Sequence, residues 1–170
     1  MLKRGQDDEF ASTWQFLSSI ILSAFTLEAY LNHVGDAEIP NWKYLERSLS
    51  PEAKIRHLCL ALNLNIGGDG ERPLQTVKGL IKFRNTLAHG RSETLEPAPD
   101  LVKVDDDLDG HIRKRPLTMW EQRIATPDFA LRVHEDLNKL FKLIHEARPD
   151  PKGTLFQMGF HSSWGSLEEE

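Results

Sequence analysis

Apolar residues recur at helical spacing over most of the chain. The clearest case is "PLQTVKGLIKF", whose apolar residues lie three or four positions apart: Leu74, Val77, Leu80 and Ile81. This spacing is typical of one apolar face of an α-helix. The helix is expected to continue through "FRNTLAH" and to end at Gly90, which suits a left-handed cap.

A long first helix is predicted from Asp7 to Val34, with Gly35 as its end. Its expected inner face contains Phe10, Trp14, Leu17, Ile21, Ala24, Phe25 and Leu31. After the turn that contains "EIPN", the stretch "WKYLERS" predicts a short helix.

Two later helices carry clear start signals. In "SPEAKIRHLCLALN", Ser50 is expected as the N-cap and Pro51 as the first helical residue. The same start signal, a hydroxyl residue followed by proline, opens "TPDFALRVHEDLNKLFKLIHEA" and predicts a last long helix from Pro127 to Ala147. The chain is therefore expected to be all-α, a helical bundle of four to five helices.

The predicted helical domain spans residues 1–148 and contains an irregular insertion at 92–125. Apolar and polar residues alternate in "LVKV" and "HIRKR", on either side of Asp109 and Gly110, and this pattern predicts a small β-hairpin within the insertion. A C-terminal extension, 149–170, carries Phe156, Phe160 and Trp164 and is expected to lie over a hydrophobic surface.

Composition narrows the function classes. At 170 residues with 39% hydrophobic content, the chain is long enough to bury a core without disulfides, and its single cysteine, Cys59, suits a reducing compartment. A signal region and a membrane-spanning run are not evident, so a cytoplasmic protein without membrane association is expected. The formal charge of −5 argues against a surface coated with cations for nonspecific nucleic-acid binding.

Metal motifs are incomplete. "DDDLDG" imitates the start of a calcium-binding EF-hand loop, but its twelfth position is Pro116 instead of a bidentate glutamate. The histidines of "HED" and "HEA" lack a second histidine four residues on, as a zinc site would require. Neither a metal nor another cofactor is expected.

Two charged residues fall on predicted apolar faces. With about 100° per residue, Arg84 falls in the middle of the stripe of its helix, and Glu28 falls in the middle of the stripe of the first helix. Asn85 and His89, four residues apart, share one edge. Either Glu28 and Arg84 form a structural ion pair while His89 closes the helix, or the polar residues line a functional cleft.

"SAFTLEAYLNHVG" on a first long helix, followed by "LIKFRNTLAHG" on a later one, resembles the HEPN superfamily. The HEPN motif is an arginine followed directly by a polar residue and, after a short spacing, a histidine. Arg84, Asn85 and His89 match it. By helix order the resemblance covers about residues 10 to 147, but the insertion and the tail have no counterpart.

The resemblance implies a homodimer in which two motifs face one cleft, and a metal-independent endoribonuclease of the toxin or antiviral kind. It implies Arg84, Asn85 and His89 as catalytic residues, and Glu28 is expected as a supporting residue. RNA would be the substrate, and a cognate antitoxin or another protein a partner. Noncatalytic HEPN-like proteins serve as binding modules, so a helical interaction protein remains the main alternative, and a nucleotide-binding module a second.

Overall fold

The computed structural model describes residues 12–68, 70–90, 118–124 and 126–150. These ranges contain six α-helices and no β-strand, which confirms the all-α prediction for the part of the chain that is described. The helices are α1 (Ser12–Glu38), α2 (Trp42–Leu45), α3 (Pro51–Ala61), α4 (Leu74–His89), α5 (Met119–Ile124) and α6 (Asp128–Ala147).

The long helix α1 is the centre of the bundle and packs against α3, α4 and α6. Its buried residues meet apolar side chains from each of these helices. The fully buried members of the core include Ile20, Leu27, Leu31, Ile55, Leu58, Leu80, Leu140 and Ile144. Burial of such side chains from water is the main source of stability for a helical bundle, and here it fixes α4 against α1.

The inner face of α1 differs from the prediction. Trp14 and Phe25 were expected inside, but they are 70% and 56% exposed, whereas Phe16 and Leu27 are buried. The observed buried face is rotated by about 90° from the predicted one. Apolar residues lie almost all the way round this part of α1, so periodicity alone did not select the correct side.

The end of α1 also differs from the prediction. The helix continues past Gly35 to Glu38, and Gly35 is buried within it. A Cβ atom at position 35 would overlap the indole ring of Trp42, which is itself only 1% exposed. Gly35 therefore allows α2 to approach α1 closely and does not terminate the helix.

The remaining start and stop signals agree with the structure. Ser50 caps α3, and its hydroxyl accepts a hydrogen bond from the Ala53 amide at 3.2 Å. Gly90 ends α4 in the left-handed conformation, with φ of 48°. The last helix, α6, begins at Asp128, one residue later than predicted, with Pro127 at the N-cap position, and it ends at Ala147 as predicted.

The stretch 92–125 is described only at its C-terminal end, where α5 replaces the irregular structure that was expected there. The predicted hairpin around Asp109 and the aromatic tail from Phe156 to Trp164 lie outside the described residues. Within the described ranges, no helix combines the length and the apolar character needed to cross a membrane.

Candidate functional site

Arg84 on α4 reaches across the bundle to Glu28 on α1. Its Nη2 atom donates a hydrogen bond to Glu28 Oε2 at 3.0 Å. The two side chains are 30% and 38% exposed, so the ion pair lies at the edge of the core and is open to solvent on one side. A guanidinium carries five N–H donors, so Arg84 can keep this ion pair and still bind a second anion.

A second cation, Lys54 on α3, contacts the same carboxylate. The Lys54 side chain is 2% exposed, and its Nζ lies 3.7 Å from Glu28 Oε1. Nζ also donates a hydrogen bond to Asn32 Oδ1 at 2.7 Å. We call these four residues, Glu28, Asn32, Lys54 and Arg84, the Glu28 cluster. Because a buried ammonium is costly without a partner, Lys54 holds Glu28 in place, and Glu28 in turn orients Arg84.

Lys54 was not singled out from the sequence, although a signal was present. It precedes Leu58 by four residues and Ile55 by one, and it therefore lies on the apolar face of α3. A cation in that position on a short amphipathic helix indicates a buried partner of opposite charge.

Glu28 does not lie in the middle of the buried face of α1, where it was predicted. Because the observed face is rotated by about 90°, Glu28 lies at its edge. Arg84 does share the face of α4 that carries Val77, Leu80 and Ile81, one turn beyond the last of them. The Glu28 cluster is thus a polar border of the core and not a fully buried island.

Asn85 and His89 lie on another side of α4. Both are exposed, and neither side chain makes a hydrogen bond or an ion pair with another described residue. His89 is the last residue of the helix, directly before the Gly90 cap. It lies five positions after Arg84, which corresponds to about 140° around the axis and about 7.5 Å along it. The structure therefore brings Arg84 to Glu28, but it does not bring Arg84 to His89 of the same chain.

The described residues contain no group of three His, Cys, Asp or Glu side chains that could hold a metal ion. The partial calcium motif at 105–110 lies outside them.

No protein-family model matches the chain, and neither a curated protein nor a solved structure is significantly similar to it. The likeness to HEPN proteins therefore rests on the motif residues and on the order of the helices.

The site offers two chemical groups on one helix end. Arg84 provides a permanent, forked cation whose orientation is fixed by Glu28, and such a group suits a phosphate. His89 provides an exposed imidazole, the side chain that most readily exchanges a proton near neutral pH. Together they are suited to phosphoryl chemistry if a second copy of α4 completes the arrangement.

Proposed function

We propose that this protein is a metal-independent endoribonuclease of the HEPN type, which acts as a homodimer in the cytoplasm. The observation that supports it is the position of Arg84: Glu28 holds the guanidinium, which nevertheless stays 30% exposed on the helix that ends in the exposed His89. Arg84 stabilises the phosphate, His89 transfers protons, and Asn85 and Glu28 are positioning residues.

The proposed reaction needs no group beyond these side chains and the RNA. One imidazole takes the proton of a 2′-hydroxyl, whose oxygen attacks the adjacent phosphorus. The bond from phosphorus to the 5′-oxygen breaks, and a second imidazole, in its protonated form, donates a proton to that oxygen. Arg84 neutralises the negative charge that increases on the phosphate oxygens in the transition state.

A second copy of the chain supplies what one copy lacks. Within one helix, Arg84 and His89 point about 140° apart, and a single imidazole cannot act as acid and base in one step. Phe25 lies three residues before Glu28 on α1 and is 56% exposed, so an apolar surface adjoins the Glu28 cluster. Pairing two copies through this surface would bring two Arg84 side chains near each other.

A noncatalytic interaction protein is the second candidate. Trp14 and Phe25, on the same side of α1, are exposed to an extent that is typical of a protein interface. In this case a cognate antitoxin or another protein covers α1, and the ion pair between Glu28 and Arg84 is purely structural. The toxin role and the antitoxin partner belong to the first proposal as well, where the partner would block the cleft.

The proposal is tested with a mixed RNA pool in the presence of EDTA. Wild type is compared with Arg84→Ala and His89→Ala, and with His57→Ala as the matched control, because His57 is another exposed helical histidine. Removal of a proton-transfer group lowers the rate by about 10²- to 10⁴-fold, so His89→Ala should lose at least 10²-fold while His57→Ala keeps full activity.

Arg84→Lys separates a specific arginine from a general positive charge. A lysine cannot reproduce the guanidinium fork, so this variant should also cleave poorly. Circular dichroism and sedimentation must first show that each variant remains a folded dimer. If wild type cleaves no RNA, or if the folded variants cleave as fast as wild type, the catalytic proposal is wrong and the interaction protein is favoured.

A further inference from the structure

A cleft of about 220 Å³ lies between α4 and α5, away from the Glu28 cluster. We call it the α4–α5 cleft. Its lining residues are Lys82, Phe83, Thr86, Met119, Trp120 and Arg123. The two aromatic side chains are the apolar part of the lining: Phe83 belongs to the core and is 2% exposed, and the partly buried Trp120 packs against the core.

The dimensions of the cleft suit one planar ring system. Small-molecule sites usually enclose at least about 300 Å³, so this cleft is too small for a complete cofactor. Aromatic side chains that are held by a core provide a fixed surface on which a nucleobase can stack. Trp120 is the side chain in the cleft best suited to this role.

Among the described residues that line the cleft, two are cations and none is a carboxylate. Arg123 is held in place: its Nη1 donates a hydrogen bond to the Gly79 carbonyl at 3.0 Å, and its guanidinium lies 4.9 Å from the centre of the Phe129 ring. Lys82 is exposed at the rim. In a chain with a formal charge of −5, this is a local positive surface beside an aromatic one.

On one side the cleft adjoins a second cavity, and on the other side His89 lies further along the same face of α4. A second cavity of about 400 Å³ shares Arg123 and extends toward Gln75 and Arg132. In the other direction, His89 lies within about 20° of Lys82 around the α4 axis and about 10.5 Å further along it. A polymer that follows this face of α4 is thus led to His89.

We infer that the α4–α5 cleft binds single-stranded RNA, with one base stacked on Trp120 and the flanking phosphates on Lys82 and Arg123. Stacking and backbone charge are sequence-tolerant, so the cleft would guide the strand toward His89 without selecting a base. The identity of the ligand as RNA rests on the proposed function, whereas the residues that bind it are a separate claim.

The experiment measures binding apart from cleavage. The probe is a fluorescein-labelled single-stranded RNA of mixed sequence, 2′-O-methylated throughout so that its 2′-oxygens cannot attack, and its anisotropy is followed with the full chain in EDTA. Trp120→Ala should weaken binding about tenfold or more, and Trp120→Phe should restore most of it.

Lys82→Glu provides an independent test, because Lys82 is exposed and its replacement leaves the core intact. It should lower affinity and should also flatten the dependence of log K on log salt, by about 0.7 for each phosphate that the protein no longer neutralises. Lys139→Glu is the matched control on α6, where an exposed lysine lies outside the cleft, and it should change affinity less than Lys82→Glu.

The outcomes separate this inference from the proposed function. If wild type does not bind the probe, or if folded Lys82→Glu and folded Trp120→Ala both bind it as tightly as wild type does, the cleft is not the RNA site. Binding that depends on Lys82 and Trp120 without any cleavage of ordinary RNA would support the cleft and contradict the nuclease. Cleavage that depends on His89 but not on Lys82 would support the nuclease and contradict the binding of RNA in the cleft.

Discussion

At the scale of single residues, Glu28 contacts two cations that differ in exposure. Lys54 is almost completely buried, whereas Arg84 is open to solvent on one side. An ion pair between Glu28 and Arg84 was predicted by one of the two interpretations of the sequence, and the structure contains this ion pair. Lys54 was not predicted as a member of this cluster, although its charge lies on the apolar face of α3.

Replacement of Glu28 tests the role of this carboxylate in stability. Glu28→Gln keeps the shape of the side chain but removes the charge that faces the buried Lys54 ammonium. We expect the free energy of unfolding in urea to fall by about 1–3 kcal/mol, the usual cost of leaving a buried polar group unsatisfied.

The matched control for this variant is Glu146→Gln. Glu146 pairs with Lys142 at 3.8 Å on the surface, and both side chains are more than half exposed. A surface pair of this kind contributes at most about 1 kcal/mol. Equal losses from the two variants would mean that the Glu28 cluster does not depend on the burial of Lys54.

At the scale of helices, local chemistry was a better guide than periodicity. The start of α3, the end of α4 and the start of α6 follow from Ser50, Gly90 and Pro127, respectively, since these residues act on the adjacent backbone. The orientation of α1 could not be predicted in the same way, because apolar residues surround it and its partners are distant in sequence. For the same reason Glu28, which was predicted at the centre of the buried face of α1, lies at the edge of that face.

Gly35 gives a prediction at this scale. An added methyl group in Gly35→Ala would overlap the Trp42 ring and force α1 and α2 apart. Overpacking of this kind costs about 1–3 kcal/mol, more than the gain from the better helix propensity of alanine. Gly68→Ala is the control, since a Cβ atom there meets no neighbour within 4 Å. If chemical denaturation shows Gly35→Ala to be as stable as wild type, the close approach of Trp42 is not required.

At the scale of the whole molecule, Arg72 ties the segment before α4 to α6. Its Nε donates to both oxygens of Asp136, at 2.9 and 2.8 Å. Burial raises the pKa of the Asp136 carboxyl, but the hydrogen bond from Arg72 and the nearby positive charges outweigh burial and hold the pKa below its usual value. This contact helps to position the start of the helix that carries the HEPN-like motif.

The lowered pKa of Asp136 determines the direction in which the stability of the protein should change with pH. Its contribution to stability is fully present above the pKa of the unfolded chain, about 3.9, and is lost as the pH falls through the lower pKa of the folded state. Asp136→Asn should therefore be less stable than wild type at pH 7, and the difference should shrink below about pH 4. Urea titrations at several pH values measure this difference in the free energy of unfolding. A difference that grows on acidification would contradict a lowered pKa for Asp136.

The assembly state can be tested through Phe25. Phe25→Glu places a charge on the exposed apolar side of α1 beside Glu28, and it should convert the expected homodimer into a monomer. Tyr44→Glu is the control, because Tyr44 is 71% exposed on α2. Sedimentation at micromolar concentration reports the mass. A monomeric wild type, or a dimer that Phe25→Glu leaves unchanged, would contradict the proposed interface.

The nuclease proposal is tested most directly by the chemical ends of the RNA fragments that wild type produces in EDTA. Attack by the 2′-oxygen with proton transfer by His89 leaves a 2′,3′-cyclic phosphate on one fragment and a 5′-hydroxyl on the other. We predict these ends, and we predict that they disappear with His89→Ala while His57→Ala still produces them. Fragments with a 5′-phosphate and a 3′-hydroxyl, or intact RNA after prolonged incubation, would contradict the proposal.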